Sequence, residues 1–241
     1  MSGTDKHLSV PRFLGGKMLS PRLAAIADMA AGGKRVIDVG TDHGYVPVYL
    51  ACQGSWERVA ASDINEGPLN AAIKNAEQSG MEKLIEFYKT DGLAGIDDGF
   101  DTVIISGMGG ETICHILDEC KWNFKSVRLV LQPQSKTELL ESWLTKRCFK
   151  ITDACLVKDD GRFYTVFMAE IAESGCSRVL DKLFEKKDKM LTEYIDSLIE
   201  KYKSALSGLT SANNPDEVRI NELRALLNDA INAREAAHGK D

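Results

Sequence analysis

The 241 residues carry 30 Lys and Arg against 36 Asp and Glu, a formal net charge of −6, with 44% hydrophobic and 27% charged residues. That is a soluble globular composition, enough for one large domain or one domain with a smaller companion, and no run of about 18 apolar residues offers a membrane-spanning helix. The acidic balance argues mildly against a nucleic-acid partner. Six dispersed cysteines without a C-x-x-C pair and four scattered histidines argue against a disulfide framework and a bound metal. The N-terminal stretch lacks a signal-peptide core, so a reducing, cytoplasmic setting is expected.

In chain order, short apolar runs alternate with helical periodicity. Strands are predicted over residues 35–39, 58–63, 85–89, 101–106 and 127–132, with helices over 45–52, 66–79, 110–120 and 137–147 between and after them. Pro47 suits the first turn of its helix and Gly80 stops the next. Two further strands, 151–157 and 162–169, are joined through Lys158-Asp159-Asp160-Gly161, where Asp-Gly between apolar runs signals a hairpin. Crossover helices make the first five strands parallel and the hairpin adds antiparallel strands. The expected fold is α/β, a doubly wound seven-stranded mixed sheet over residues 1–173.

Residues 174–241 read differently. Leu180, Leu183, Lys187, Leu191, Tyr194, Leu198, Tyr202 and Ala205 follow a 3-4 spacing, as do Ile220, Leu223, Leu227 and Ile231. Asn214 as cap, Pro215 and Glu217 mark the second start. An antiparallel two-helix coiled hairpin is expected, with a surface for its own domain, a large substrate or weak self-association.

The chemistry gathers at strand ends. Val36-Ile37-Asp38-Val39-Gly40-Thr41-Asp42-His43-Gly44 delivers a glycine into a turn that opens a helix, the position where doubly wound folds bind nucleotides. A dinucleotide loop has a second glycine where Asp42 stands, and a carboxylate there repels a pyrophosphate. S-adenosylmethionine has no phosphate and carries cationic groups, so the loop favours it over a nicotinamide cofactor. Asp63, 25 residues after Asp38, ends the second strand where ribose hydroxyls would lie, and Asp91 with Gly92 follows the third, near an adenine amine. Ile64 and Leu93 are placed to sandwich the adenine ring. Ser106-Gly107-Met108-Gly109-Gly110 ends the fourth strand, where an acceptor approaches the methyl. No Asn/Asp-Pro-Pro-aromatic motif and no Pro-Cys stands there, which argues against exocyclic-amine and cytosine C5 chemistry.

Asp38-Val39-Gly40-Thr41-Asp42-His43-Gly44-Tyr45-Val46-Pro47, with Ser62-Asp63-Ile64, Gly67-Pro68, Asp91-Gly92-Leu93, Ser106-Gly107-Met108-Gly109-Gly110-Glu111 and Leu131-Gln132-Pro133-Gln134, resembles the bacterial tRNA adenine-22 N1-methyltransferase family (TrmK). The likeness covers about Leu19 to Glu170 by motif and the remainder by architecture. It departs at Gly44, where a small non-glycine residue is more usual, and at Ser106, where alanine is. The resemblance implies a class I S-adenosylmethionine domain followed by a helical domain, acting on tRNA without a metal. Arg22, Asp38, Gly40, Asp63, Ile64, Asp91, Gly92, Gly107 and Met108 are then expected around the cofactor. Asp42, His43 and Tyr45 are expected at the reacting base. Asp42 is equally suited to cap the following helix, and His43 reads more simply as a loop histidine. Two other functions stay open: a methyltransferase on a non-tRNA acceptor, and a non-catalytic cofactor-binding regulator.

Adenine N1 is hidden in a duplex, so the base must be unpaired or extruded. Residues 1–35 hold six bases against two acids and residues 121–150 seven against two. These stretches are expected to form a positive surface around the Gly107–Gly110 mouth.

Overall fold

A computed structural model describes residues 13–14, 17–173, 177–211 and 216–238. A short ribbon of β1 (Phe13–Leu14) and β2 (Lys17–Met18) leads to α1 (Pro21–Ala30). The sequence reading missed this helix, although its start signal is present. Ser20 Oγ accepts from Leu23 N at 3.4 Å, Pro21 fills the first turn, and Ala24, Ile26, Ala27 and Ala30 form the buried stripe.

The alternating units follow: β3 (Arg35–Val39), α2 (Tyr45–Cys52), β4 (Arg58–Asp63), α3 (Glu66–Gln78), β5 (Ile85–Lys89), β6 (Thr102–Gly109), α4 (Gly110–Glu119), β7 (Arg128–Ser135), α5 (Thr137–Lys146), β8 (Phe149–Asp159) and β9 (Arg162–Ile171). They build a seven-stranded sheet of order β5-β4-β3-β6-β7-β9-β8. The first five of these strands pair in parallel, and β9 runs antiparallel to both β7 and β8. Asp160-Gly161 is the two-residue turn, since Asp159 pairs with Arg162. The central strands are continuously apolar because helices cover both faces: Val36, Ile37, Ile104, Ile105, Leu129 and Val130 are all buried. From β3 the chain moves outward to β4 and β5, then returns to β6 on the other side of β3. That reversal opens a crevice at the carboxyl ends of β3 and β6.

One partly buried acid marks the α5 side. Glu141 Oε1 accepts from Val179 N at 2.7 Å. Burial nonetheless raises its pKa to about 7. A carboxyl held above its unfolded value contributes stability that is fully present below the ordinary carboxylate range and is lost as pH rises to about 7. Glu141→Gln keeps the accepting oxygen and removes the charge. It is expected to raise unfolding free energy at pH 8 by about 1–2 kcal/mol and to change little at pH 5. Urea denaturation at the two pH values measures this; equal effects at both would contradict it.

The described residues divide into two compact units, one up to Lys182 and one from Leu183. In the second, α7 (Leu191–Thr210) and α8 (Glu217–His238) pair as a hairpin. Arg234 Nε meets Asp196 at 2.5 Å, which joins the start of α7 to the end of α8 and makes the pair antiparallel. Leu191, Ile195, Ile199 and Tyr202 are buried on α7, and Ile220, Leu223 and Ala230 on α8. The stripe therefore differs from the 3-4 reading: Ala205 is exposed and Ile195 and Ile199 face inward. The helix is also not continuous from residue 180. After α6 (Val179–Glu185), Lys187 takes φ +51, and Asp188 Oδ1 accepts from Met190 N at 2.9 Å, which starts α7 afresh and resets the phase. The expected cap Asn214-Pro215 lies outside the described residues. Asp216 Oδ1 accepts from Arg219 N at 3.0 Å and caps α8.

Candidate active site

The turn leaving β3 is tied to the neighbouring strand. Gly40 N and Thr41 N both donate to the Ser62 carbonyl, at 2.8 and 2.9 Å. Ser62 Oγ in turn donates to Gly92 O at 3.3 Å. Three strand ends are thereby fixed together, and with them Asp38, Asp63 and Asp91. A Cβ at Gly40 would lie 1.8 Å from Met108 Cε, so the thioether chain rests directly on the bare backbone of the turn.

Asp38 is buried at 5% exposure, in register with Ala61 and Ile104. Burial lifts its pKa to about 7; the nearby Thr41 hydroxyl and Arg22 cation pull downward, and Asp63 pushes upward. Thr41 Oγ1 is buried with no partner in hydrogen-bond geometry among the described residues. Asp63 Oδ1 accepts from Asn65 N at 2.6 Å, and Ile64 beside it is 56% exposed. Leu93 is buried, and with Asp91, Ile96, His115 and Ile116 it lines a cleft of about 510 Å³ against α4.

Asp42 is not a helix cap. The N-cap of α2 is Gly44 at φ +65, with no side-chain cap, and the Asp42 side chain is 84% exposed. Its carboxylate lies 3.4 Å from His43 Nε2. His43 stacks on Tyr45 at 5.6 Å between centroids, and its carbonyl accepts from Asn75 Nδ2 at 2.7 Å. Asp42, His43 and Tyr45 thus share one rim of the crevice. Gly44 stands where α2 packs closely on α3. A Cβ there would stand 2.7 Å from Ala72 Cβ and 3.0 Å from its Cα, so α2 and α3 would have to separate. With the left-handed strain added, Gly44→Ala is expected to cost about 2–4 kcal/mol in urea denaturation. A wild-type midpoint would refute this.

Across the crevice, β6 runs three residues beyond its expected end. Its pairing with β7 slips between Ser106 and Met108, so Gly107 drops out of the ladder at φ +79. Gly107 N donates instead to Gln132 Oε1 at 3.2 Å, and Arg22 Nη1 donates to the same oxygen at 3.0 Å. Arg22 therefore comes from α1 to Gln132 toward the end of β7. Thr41, Ser62 and Gln132 were not among the predicted site residues. The signal for Gln132 was a polar residue ending an apolar strand.

The described bases of the two stretches divide between the two ends of the strands. Lys34, Lys125 and Arg128 line a cleft of about 530 Å³ with Asp101 and Glu170, at the opposite end of the strands. Arg128 is engaged there with the carbonyls of Ala30 and Ala31. Of the two basic stretches, the mouth edge receives Arg22 and Lys136, and Lys136 is ion-paired with Glu111. Lys6 and Arg12 lie outside the described residues. Adjacent strands and helices run in opposite directions, so bases close in sequence end far apart. Among the described residues no cluster of three His, Cys, Asp or Glu side chains suits a metal ion, and no helix is long and apolar enough to cross a membrane.

Comparison with known proteins finds likenesses over most of the chain. A family model described as a methyltransferase domain matches residues 19–167. The tRNA (adenine(22)-N(1))-methyltransferase of Bacillus subtilis strain 168 is 34% identical over 157 residues, 64% of this chain and 66% of that protein, so the match spans just under two thirds of that relative. The crystal structure of the B. subtilis m1A22 tRNA methyltransferase TrmK superposes with a TM-score of 0.75 at 26% identity, covering 90% of this chain and 98% of that one. Streptococcus pneumoniae Sp1610 in complex with S-adenosyl-L-methionine gives 0.76 at 26% identity, covering 90% and 100%. With the matched model extending over more than half its length, the chain belongs to the methyltransferase-domain family.

Proposed function

We propose that the chain is a cytoplasmic S-adenosylmethionine-dependent methyltransferase that modifies N1 of an adenine in tRNA, position 22. The observation that carries this reading is the likeness, across both units, to the B. subtilis m1A22 enzyme, whose structure matches over 90% of this chain. The crevice fits the cofactor. The Asp38 carboxyl, buried beside the Thr41 hydroxyl, favours a cationic ligand. Asp38, Asp63 and Asp91 are the acceptors for its amino, ribose and adenine groups, and Gly40, Gly92, Ile64 and Met108 form the walls. Arg22 faces its carboxylate.

The bound cofactor supplies a methyl group on a sulfonium cation, transferred in line to the acceptor. Adenine N1 presents an in-plane lone pair at neutral pH, so the protein need not remove a proton before attack. The methylated base is a cation. The site's tasks are therefore to position the base and to stabilise positive charge as it develops. Asp42 on the rim accepts from the adenine N6 amine and faces that charge. Tyr45 and His43 hold the ring. The acidic rim of Asp42, Asp63 and Asp91 serves a cationic donor and product.

The same acidic rim, with Lys136 ion-paired to Glu111 among the described residues, favours a second reading in which the acceptor is not tRNA. Incubation with labelled S-adenosylmethionine and unmodified tRNA, then nucleoside digestion, separates the two. N1-methyladenosine is the expected product, and its absence alongside label in a metabolite pool would overturn the tRNA assignment. The helical unit is proposed to hold the folded RNA or a second copy of the chain.

A further inference from the structure

We infer that Gln132 is a positioning residue, acting through Arg22, that sets the anion-reading edge of the mouth. This rests on the reading of the crevice as an S-adenosylmethionine site. Gln132 is fully buried toward the end of β7, after the apolar run Leu129, Val130 and Leu131. Its carboxamide has only one orientation that satisfies its surroundings: Oε1 faces two N–H donors, and Nε2 donates to the Pro133 carbonyl at 3.0 Å. One of those donors is the Gly107 amide, which the register slip between Ser106 and Met108 removes from the backbone ladder. The other is Arg22 Nη1, from a residue 110 positions earlier in the chain. A single oxygen therefore stands in for the missing strand partner and anchors a guanidinium to the bulge.

The anchoring has a direction. Arg22 Cζ lies 5.6 Å from the Tyr164 ring centroid, and the guanidinium lies 3.7 Å from where a Gly107 Cβ would stand. Its other N–H groups have no hydrogen-bond partner among the described residues. They are presented, pre-oriented, to an anionic oxygen beside Asp38. That oxygen is a carboxylate or a phosphate, and the two sources are distinguishable. A neutral amide is the suitable anchor, because a carboxylate at 132 would hold Arg22 equally well and cancel its charge.

The test is a double-mutant cycle on the full chain with Gln132→Met and Arg22→Ala. Calorimetry measures S-adenosylhomocysteine, which carries the amino-acid carboxylate, and 5′-methylthioadenosine, which lacks it. Filter binding of tRNA without cofactor measures the phosphate arm. Gln132→Met is expected to weaken S-adenosylhomocysteine, or else tRNA, about tenfold, and to leave methylthioadenosine within about twofold. In the Arg22→Ala background it is expected to have no further effect on that arm. Additive losses in both arms, or an equal loss for methylthioadenosine, would overturn the inference while the crevice reading stood. A wild-type protein that binds neither nucleoside would overturn both. Should Gln132→Met fail to fold, Gln132→Glu retains the acceptor and must still lose at least about tenfold in one arm. Wild-type affinity in both arms would refute the inference.

Discussion

Asp42→Asn is expected to lower turnover on tRNA by roughly two to three orders of magnitude while leaving S-adenosylmethionine affinity within about threefold. The split follows from where the carboxylate stands. It caps no helix, since Gly44 holds that position, and it is 84% exposed on the crevice rim, so it is free to meet a base. An asparagine is nearly the same size and can still accept from the adenine N6 amine. It lacks the negative charge that a product cation calls for, so the loss falls on the transition state and not on the resting complex. His43→Ala is expected to be milder. Its ring stacks on Tyr45, but the loop is held by its backbone carbonyl through Asn75, which the substitution leaves intact. Single-turnover rates with saturating cofactor, set beside calorimetric affinities, measure both. Equal losses of rate and cofactor affinity for Asp42→Asn would remove the catalytic role.

The regular part of this fold was legible because burial on two faces writes continuous apolar runs. β3, α2, β4 and β5 have the limits that the sequence patterning predicts. What escaped depends on single backbone conformations or on distant partners. The extension of β6 hangs on one left-handed glycine and a side chain 25 residues away, Gln132. The restart of α7 hangs on Lys187 in a left-handed conformation, which periodicity cannot reveal. At the site, the three strand-end acids were readable from spacing alone. Thr41 and Ser62 were not, because their importance comes from burial and from carbonyls that only pairing brings together. Part of the basic stretches lies away from the mouth for a related reason: charge is counted along the chain, whereas strand direction sorts Lys34, Lys125 and Arg128 to the far end.

Cofactor affinity is expected to rise roughly eightfold between pH 6 and pH 7.5 and to lose that dependence in Asp38→Asn. The cause is the buried carboxyl. Burial holds Asp38 at a pKa of about 7, against the weaker pull of Thr41 and Arg22 and with Asp63 adding to the rise. In the free protein at pH 6 most molecules therefore carry a proton on Asp38. A ligand whose amino and sulfonium groups are cationic favours the ionised form, so binding must expel that proton. The sign follows: affinity is lowest where Asp38 is protonated and levels off once pH exceeds about 7. Calorimetry at pH 6 in buffers of different ionisation enthalpy should report about 0.9 proton released per site, falling toward zero above pH 8. Asp38→Asn removes the charge and should weaken binding by about tenfold to a hundredfold at pH 7.5, the range for a charge-assisted hydrogen bond. Its folded state also escapes the cost of burying a carboxylate. Stability at pH 8 should then rise as cofactor affinity falls, an inverse pairing expected of a group kept for binding at the expense of folding. Proton uptake in place of release, or a pH profile that survives in Asp38→Asn, would place the titrating group elsewhere.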